Sequence, residues 1–100
     1  MIYITQLIYI KTEKELEFQQ FESNVLPIME TFGGKIVQRI RPTSETFISG
    51  EKNQPYEVHI VSFESEDQLN RYIRDDARLK YNHLKEQSVE SVLMVKGKKM

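Results

Sequence analysis

Three of the four strand-like segments in this chain are apolar on both faces. In Ile2 to Ile10, one side carries Ile2, Ile4, Ile8 and Ile10, and the other carries Tyr3, Leu7 and Tyr9. Tyr56 to Phe63 sets Tyr56, Val58 and Ile60 against Val61 and Phe63, and Val89 to Val95 sets Val89, Leu93 and Val95 against Val92 and Met94. Alternate residues of a strand face opposite sides, so a sheet wetted on one face turns polar residues there. Strands of this kind need cover on both faces.

Between the strands lie two helical stretches. Phe18, Phe21, Val25, Ile28, Met29 and Phe32 recur at helical spacing, which predicts a helix from about Glu13 to Phe32. Thr12 is its expected N-cap, Glu13, Glu15 and Glu17 suit its first turns, and Pro27 is expected to kink it. Gly33-Gly34 ends it, because glycine accepts the left-handed conformation past a helix C-terminus. Lys35 to Arg41 alternates as a half-buried strand and Pro42 closes it. Thr43 to Pro55 is a long polar connection whose Phe47 and Ile48 are expected to touch a partner subunit or close over a pocket. Ser65 with Gln68 is a capping-box pair, so the second helix is expected to start at Glu66 and to turn Leu69, Tyr72 and Ile73 inward. Asp75-Asp76 breaks it, with Asp76 expected to cap a further helix through Leu79 and Leu84.

The order is strand, helix, strand, strand, helix, strand. An α+β fold satisfies it: a ferredoxin-like βαββαβ unit, one domain over 1–100, with helices on one face of a four-stranded antiparallel sheet. The helices use one apolar face, and 100 residues leave nothing for the other. A second copy related by a twofold axis is the simplest cover, so a homodimer is expected.

Other partners are narrowed by composition. The formal net charge of −1, with both signs interspersed, lacks the basic stripe of a nucleic-acid binder. No run approaches the roughly 18 apolar residues that span a bilayer, and the N-terminus lacks the basic segment of a signal peptide. With no cysteine, disulfides, thiolate metal sites and a cysteine nucleophile are excluded, and a reducing, cytoplasmic setting fits.

Several motifs together resemble the dimeric α+β barrel superfamily over nearly the whole chain. They are Val25-Leu26-Pro27 before Phe32-Gly33-Gly34-Lys35, the run Pro55-Tyr56-Glu57-Val58-His59-Ile60-Val61-Ser62-Phe63, Ser65, and Tyr72-Ile73-Arg74-Asp75 leading to Arg78 and Tyr81. The resemblance is to small bacterial proteins of unknown function near the antibiotic-biosynthesis monooxygenase, NIPSNAP and EthD-like families. It implies a dimeric barrel that binds or transforms a small organic molecule, monooxygenase-like or isomerase-like, without metal or cofactor. The haem-degrading branch of that superfamily resembles a trio of strand-one Asn, a Trp and a helical His. Here Gln6 stands near the first position, tryptophan is absent, and His83 is the helical histidine.

Placing Ile4, Ile8, Ile36, Ile40, Val58 and Ile60 against the helices turns Tyr3, Thr5, Arg39, Arg41, Glu57 and His59 to the opposite side, toward a partner or a cleft. His59 is then the candidate catalytic residue, a general base, and Tyr3, Arg39, Glu57 and His59 are the candidate ligand-binding residues. The plainer reading of His59 is a hydrogen bond across the dimer interface. The plainer reading of Arg39 and Glu57 is a cross-strand ion pair, and the functional one has Arg39 gripping a carboxylate or other anion. Tyr56, Tyr72 and Tyr81 read as packing residues. His59 and His83 lack metal-ligand spacing, so no metal site is expected. Two functions stay open: a dimeric small-molecule binding protein or enzyme, and a non-catalytic dimeric interaction protein.

Overall fold

The computed structural model describes residues 1–50 and 52–100. It forms a four-stranded antiparallel sheet in the order β2-β3-β1-β4, with β1 at Ile2–Ile10, β2 at Lys35–Ile40, β3 at Glu57–Phe63 and β4 at Val89–Gly97. Four helices lie on one face: α1 (Glu15–Thr31), α2 (Glu66–Arg74), α3 (Asp76–Leu79) and α4 (Asn82–Ser88). This is the ferredoxin-like α+β fold. The Cα atoms span 37 × 36 × 16 Å, the depth of one sheet and one helical layer.

Helix α1 starts later than expected. Lys14 N–H donates to the Lys11 carbonyl, and Glu13 sits in the left-handed region with φ of 64°, so the chain turns before the helix begins. Thr12 therefore caps nothing, and Lys14 occupies the N-cap without a side-chain bond. The helix continues unbroken through Pro27. It ends in a Schellman motif: Gly34 N–H donates to the Met29 carbonyl, Gly33 N–H donates to that of Glu30, and Gly33 has φ of +80°. Gly34 is required for space, since a Cβ there would stand 2.5 Å from Met29 Cγ and 2.8 Å from Phe63 Cζ.

Ser65 caps α2 by accepting from Gln68 N–H, as its position predicts. The break falls at Asp75-Asp76 as expected, but the cap of α3 is Asp75 rather than Asp76: its carboxylate accepts from Arg78 N–H. Ile4, Met29, Val61, Phe63 and Tyr72 form the buried core beneath α1 and α2.

Strand phase corrects the expected face assignment. In the β1–β3 ladder Ile4 pairs with Val61, Gln6 with His59 and Ile8 with Glu57, so these residues share the helix face. Val58 and Ile60 point to the open face with Leu7 and Thr5. Burying Val61 and Phe63 under the helices fixes this phase, and Glu57 and His59 follow at the same period. In β2 the register shifts between Ile36 and Gln38. That irregularity keeps Ile36 opposite Val61 but places Arg39 opposite His59, and it turns Ile40 outward opposite Val58. The open face keeps Val37, Ile40, Leu93 and Val95 about half exposed.

Candidate functional site

Beneath the helices, the sheet carries a polar cluster at one end and a cavity beside it. The cluster centres on Glu57, which is fully buried. Arg39 Nε donates to Glu57 Oε1 at 2.9 Å and Arg39 Nη2 to Oε2 at 3.3 Å. Arg41 Nε donates to Oε2 at 3.0 Å, and Arg41 Nη2 pairs with the same oxygen. His59 Nε2 lies 2.5 Å from Oε1. Arg41 also lies 4.7 Å above the Tyr56 ring, which meets Phe18 edge-on. Burial alone raises the Glu57 carboxyl, but the hydrogen bonds from His59, Arg39 and Arg41 outweigh it and bring its pKa from 4.5 down to about 2. An ionised carboxylate only accepts, so His59 Nε2 carries the hydrogen in that bond.

The cavity has a volume of about 120 Å³ and lies between sheet and helices. That is somewhat less than the roughly 150 Å³ that accepts benzene, so the cavity suits a compact ligand. Its apolar lining includes Ile4, Ile8, Phe18, Val25, Val61 and Phe63. Its polar lining is Gln6, Glu22, His59, Tyr72, Arg78 and Lys85. Glu22, on α1, is 6% exposed and has no hydrogen-bond or ion-pair partner among the described residues. Burial pushes its carboxyl above 4.5, against attraction from His59. Burial likewise raises the Tyr72 hydroxyl and lowers the Lys85 ammonium.

Of the residues singled out from sequence, Arg39, Glu57 and His59 do come together, but under the helices instead of on the open side. Tyr3 is separated from them: it pairs with Ser62 on the opposite face, beside Val37, Lys98 and Lys99. Phe47 and Ile48 do not line the cavity, and Ile48 is fully exposed. Of that connection, Glu51 lies outside the described residues. Sequence reasoning missed Glu22. Its signal is position, since it follows Phe18 by four and precedes Val25 by three on the buried stripe. Among the described residues, no group of three His, Asp or Glu side chains is gathered as a metal site, and no helix is long and apolar enough to cross a membrane.

No family profile and no curated protein matches the chain. Solved structures do. A protein of unknown function from Rhodopseudomonas palustris superposes with a TM-score of 0.85 at 18% identity, over 99% of this chain and 82% of that one. An uncharacterised NIPSNAP domain protein from Burkholderia xenovorans gives 0.73 at 16% identity, over 100% and 95%. A DABB family protein with a ferredoxin-like fold from Mesorhizobium loti gives 0.67 at 17%, over 99% and 96%. The chain thus shares the ferredoxin-like fold of small bacterial α+β proteins of unknown function.

Proposed function

We propose that the chain is a homodimer, each copy of which binds a small organic molecule in the cavity between sheet and helices and moves a proton on it. The observation that carries this reading is Glu22. A buried carboxyl without a partner costs stability and is rarely kept in a core without a use. Glu22 opens onto a largely apolar cavity that His59 also lines. In its ionised form it is positioned to take a proton from a carbon made acidic by an adjacent carbonyl, and His59, oriented by Glu57, to return one elsewhere. That chemistry is isomerase-like. A monooxygenase-like reaction would open with the same deprotonation and would then require dioxygen.

The dimer is supported by the open sheet face. Val37, Ile40, Leu93 and Val95 are about half exposed there, and Tyr3, Leu7, Val58 and Ile60 lie between them. A second copy covers such a face with an equally apolar one. Sedimentation equilibrium should give a dimer at micromolar concentration, and a stable single-chain species would remove this part of the reading. The chemical part is tested by incubating the protein in D2O with a panel of small enolisable carbonyl compounds and following deuterium at the α-carbon by NMR. Incorporation that disappears in Glu22→Gln is expected. Binding without incorporation across the panel leaves only the binding half, and undiminished incorporation in Glu22→Gln assigns the proton transfer elsewhere.

A further inference from the structure

The cavity's polar lining includes two cations. Arg78 and Lys85 both line it, from α3 and α4. Neither has a carboxylate within ion-pair distance among the described residues. Arg78 Nε is buried with no hydrogen-bond partner, while its Nη1 makes one long bond, 3.4 Å, to the Ile73 carbonyl. The guanidinium lies 5.1 Å over the Tyr72 ring and interacts with the Tyr72 hydroxyl, and Nε remains the donor left without a partner. Lys85 is close enough for its charge to be disfavoured by Arg78 as well as by burial. Two neighbouring cations with an idle donor at the wall of an apolar cavity lack only a counter-ion. Glu22 does not serve as one: among the described residues no ion pair joins it to Arg78 or Lys85.

We infer that the cavity's ligand is a small organic monoanion, a carboxylate whose charged group is held by Arg78 and Lys85 while its apolar body lies against Phe18, Val25 and Phe63. Arg78 suits this because a planar guanidinium offers parallel donors to two carboxylate oxygens. The inference rests on the proposed small-molecule cavity and narrows its ligand to one charge type.

The test uses three nearly isosteric probes of the full-length protein: benzoate, benzamide and benzamidine, which are anionic, neutral and cationic. Binding is followed by titration calorimetry, with displacement of benzamide by benzoate showing a shared site. Benzoate is expected to bind about tenfold or more tightly than benzamide, and benzamidine more weakly than either. Arg78→Gln should reduce benzoate to the affinity of benzamide and leave benzamide unchanged, and Arg78→Lys should restore part of the preference. Equal affinity for benzoate and benzamide in the unaltered protein overturns the anion inference and leaves the cavity reading standing. No saturable binding by any of the three, nor by the smaller set isobutyrate, isobutyramide and isobutyramidine, overturns both.

Discussion

Glu57 and Glu22 are the two buried carboxylates among the described residues, and they lie on facing layers, one on the sheet and one on the helix above it. Glu57 receives donors from Arg39, Arg41 and His59. Glu22 receives none. Burial acts on both in the same direction, yet one carboxyl falls to about 2 and the other rises above 4.5. The difference teaches that burial does not decide the charge of a buried acid. The count of donors around it does. Glu57 is locked as an anion and shapes its neighbours, while burial holds the Glu22 carboxyl above its ordinary range.

Removing the locked carboxylate should have the largest effect. In Glu57→Gln the amide offers one acceptor and two donors to a site that supplies donors only. A destabilisation of about 3 kcal/mol is expected. In a chain of this size that lowers the midpoint of thermal unfolding by about 15 °C, readable by circular dichroism. An unchanged midpoint would show that the exposed arms of Arg39 and Arg41 return to water without loss.

Acid should reproduce that loss in the native protein. Because the folded pKa of Glu57 lies below its unfolded value, its stabilisation is fully present above about 4.5 and disappears as pH falls through about 2. The whole effect is worth roughly 3 kcal/mol, from 1.36 kcal/mol per pH unit of separation. Glu22 has the opposite sign. Its folded pKa is raised, so its penalty is present at neutral pH and is relieved as pH falls toward 4.5. Denaturant unfolding at several pH values, taken as the difference between native protein and Glu22→Gln, isolates this second term. A difference that does not vary between pH 7 and 4.5 would mean Glu22 is not held above its ordinary range.

Much of this arrangement was legible in the sequence, and the part that was not has identifiable physical causes. Strand β1 was readable to the residue, and Gly33-Gly34 and Ser65 marked helix ends by conformations and caps that few residues supply. The grouping of Arg39, Glu57 and His59 was readable as well. Their face was not, because β3 is apolar on both sides and hydrophobicity cannot choose a phase for such a strand. The register shift at Val37 compounded this, since no glycine or proline advertises it, and it moved Ile40 and Arg39 to faces opposite those assigned by simple alternation. Glu22 was hidden by convention: a stripe is read through its apolar members, and the polar interruption passes as noise. Arg78 and Lys85 meet at the cavity only because the chain breaks into α3 and α4, a tertiary fact with no local signature.

The unlocked carboxylate should respond in the other direction. Replacing an unpaired buried acid by a neutral residue of the same shape removes a desolvation cost, so Glu22→Gln is expected to stabilise by about 1 kcal/mol. The same variant should lose proton exchange on a bound probe, which is the signature of a group kept for chemistry at the expense of stability. Destabilisation by Glu22→Gln would assign it a structural role and would draw the two carboxylates into one class.

The smallest single-residue effects, and the finest probe of the contrast, come from dividing the lock. Arg39 and Arg41 each hold Glu57, and both side chains are more than a third exposed. Removing either leaves the carboxylate with one guanidinium and His59, so Arg39→Gln and Arg41→Gln should each cost about 1 kcal/mol or less. Arg41→Gln also forfeits the contact over Tyr56 and should be the costlier of the two. Together they should cost about 3 kcal/mol, more than their sum, because the second loss strands a buried charge that the first did not. A double-mutant cycle by urea unfolding measures the excess. Strict additivity would mean that His59 alone suffices to hold Glu57 as an anion, and that a single donor separates it from Glu22.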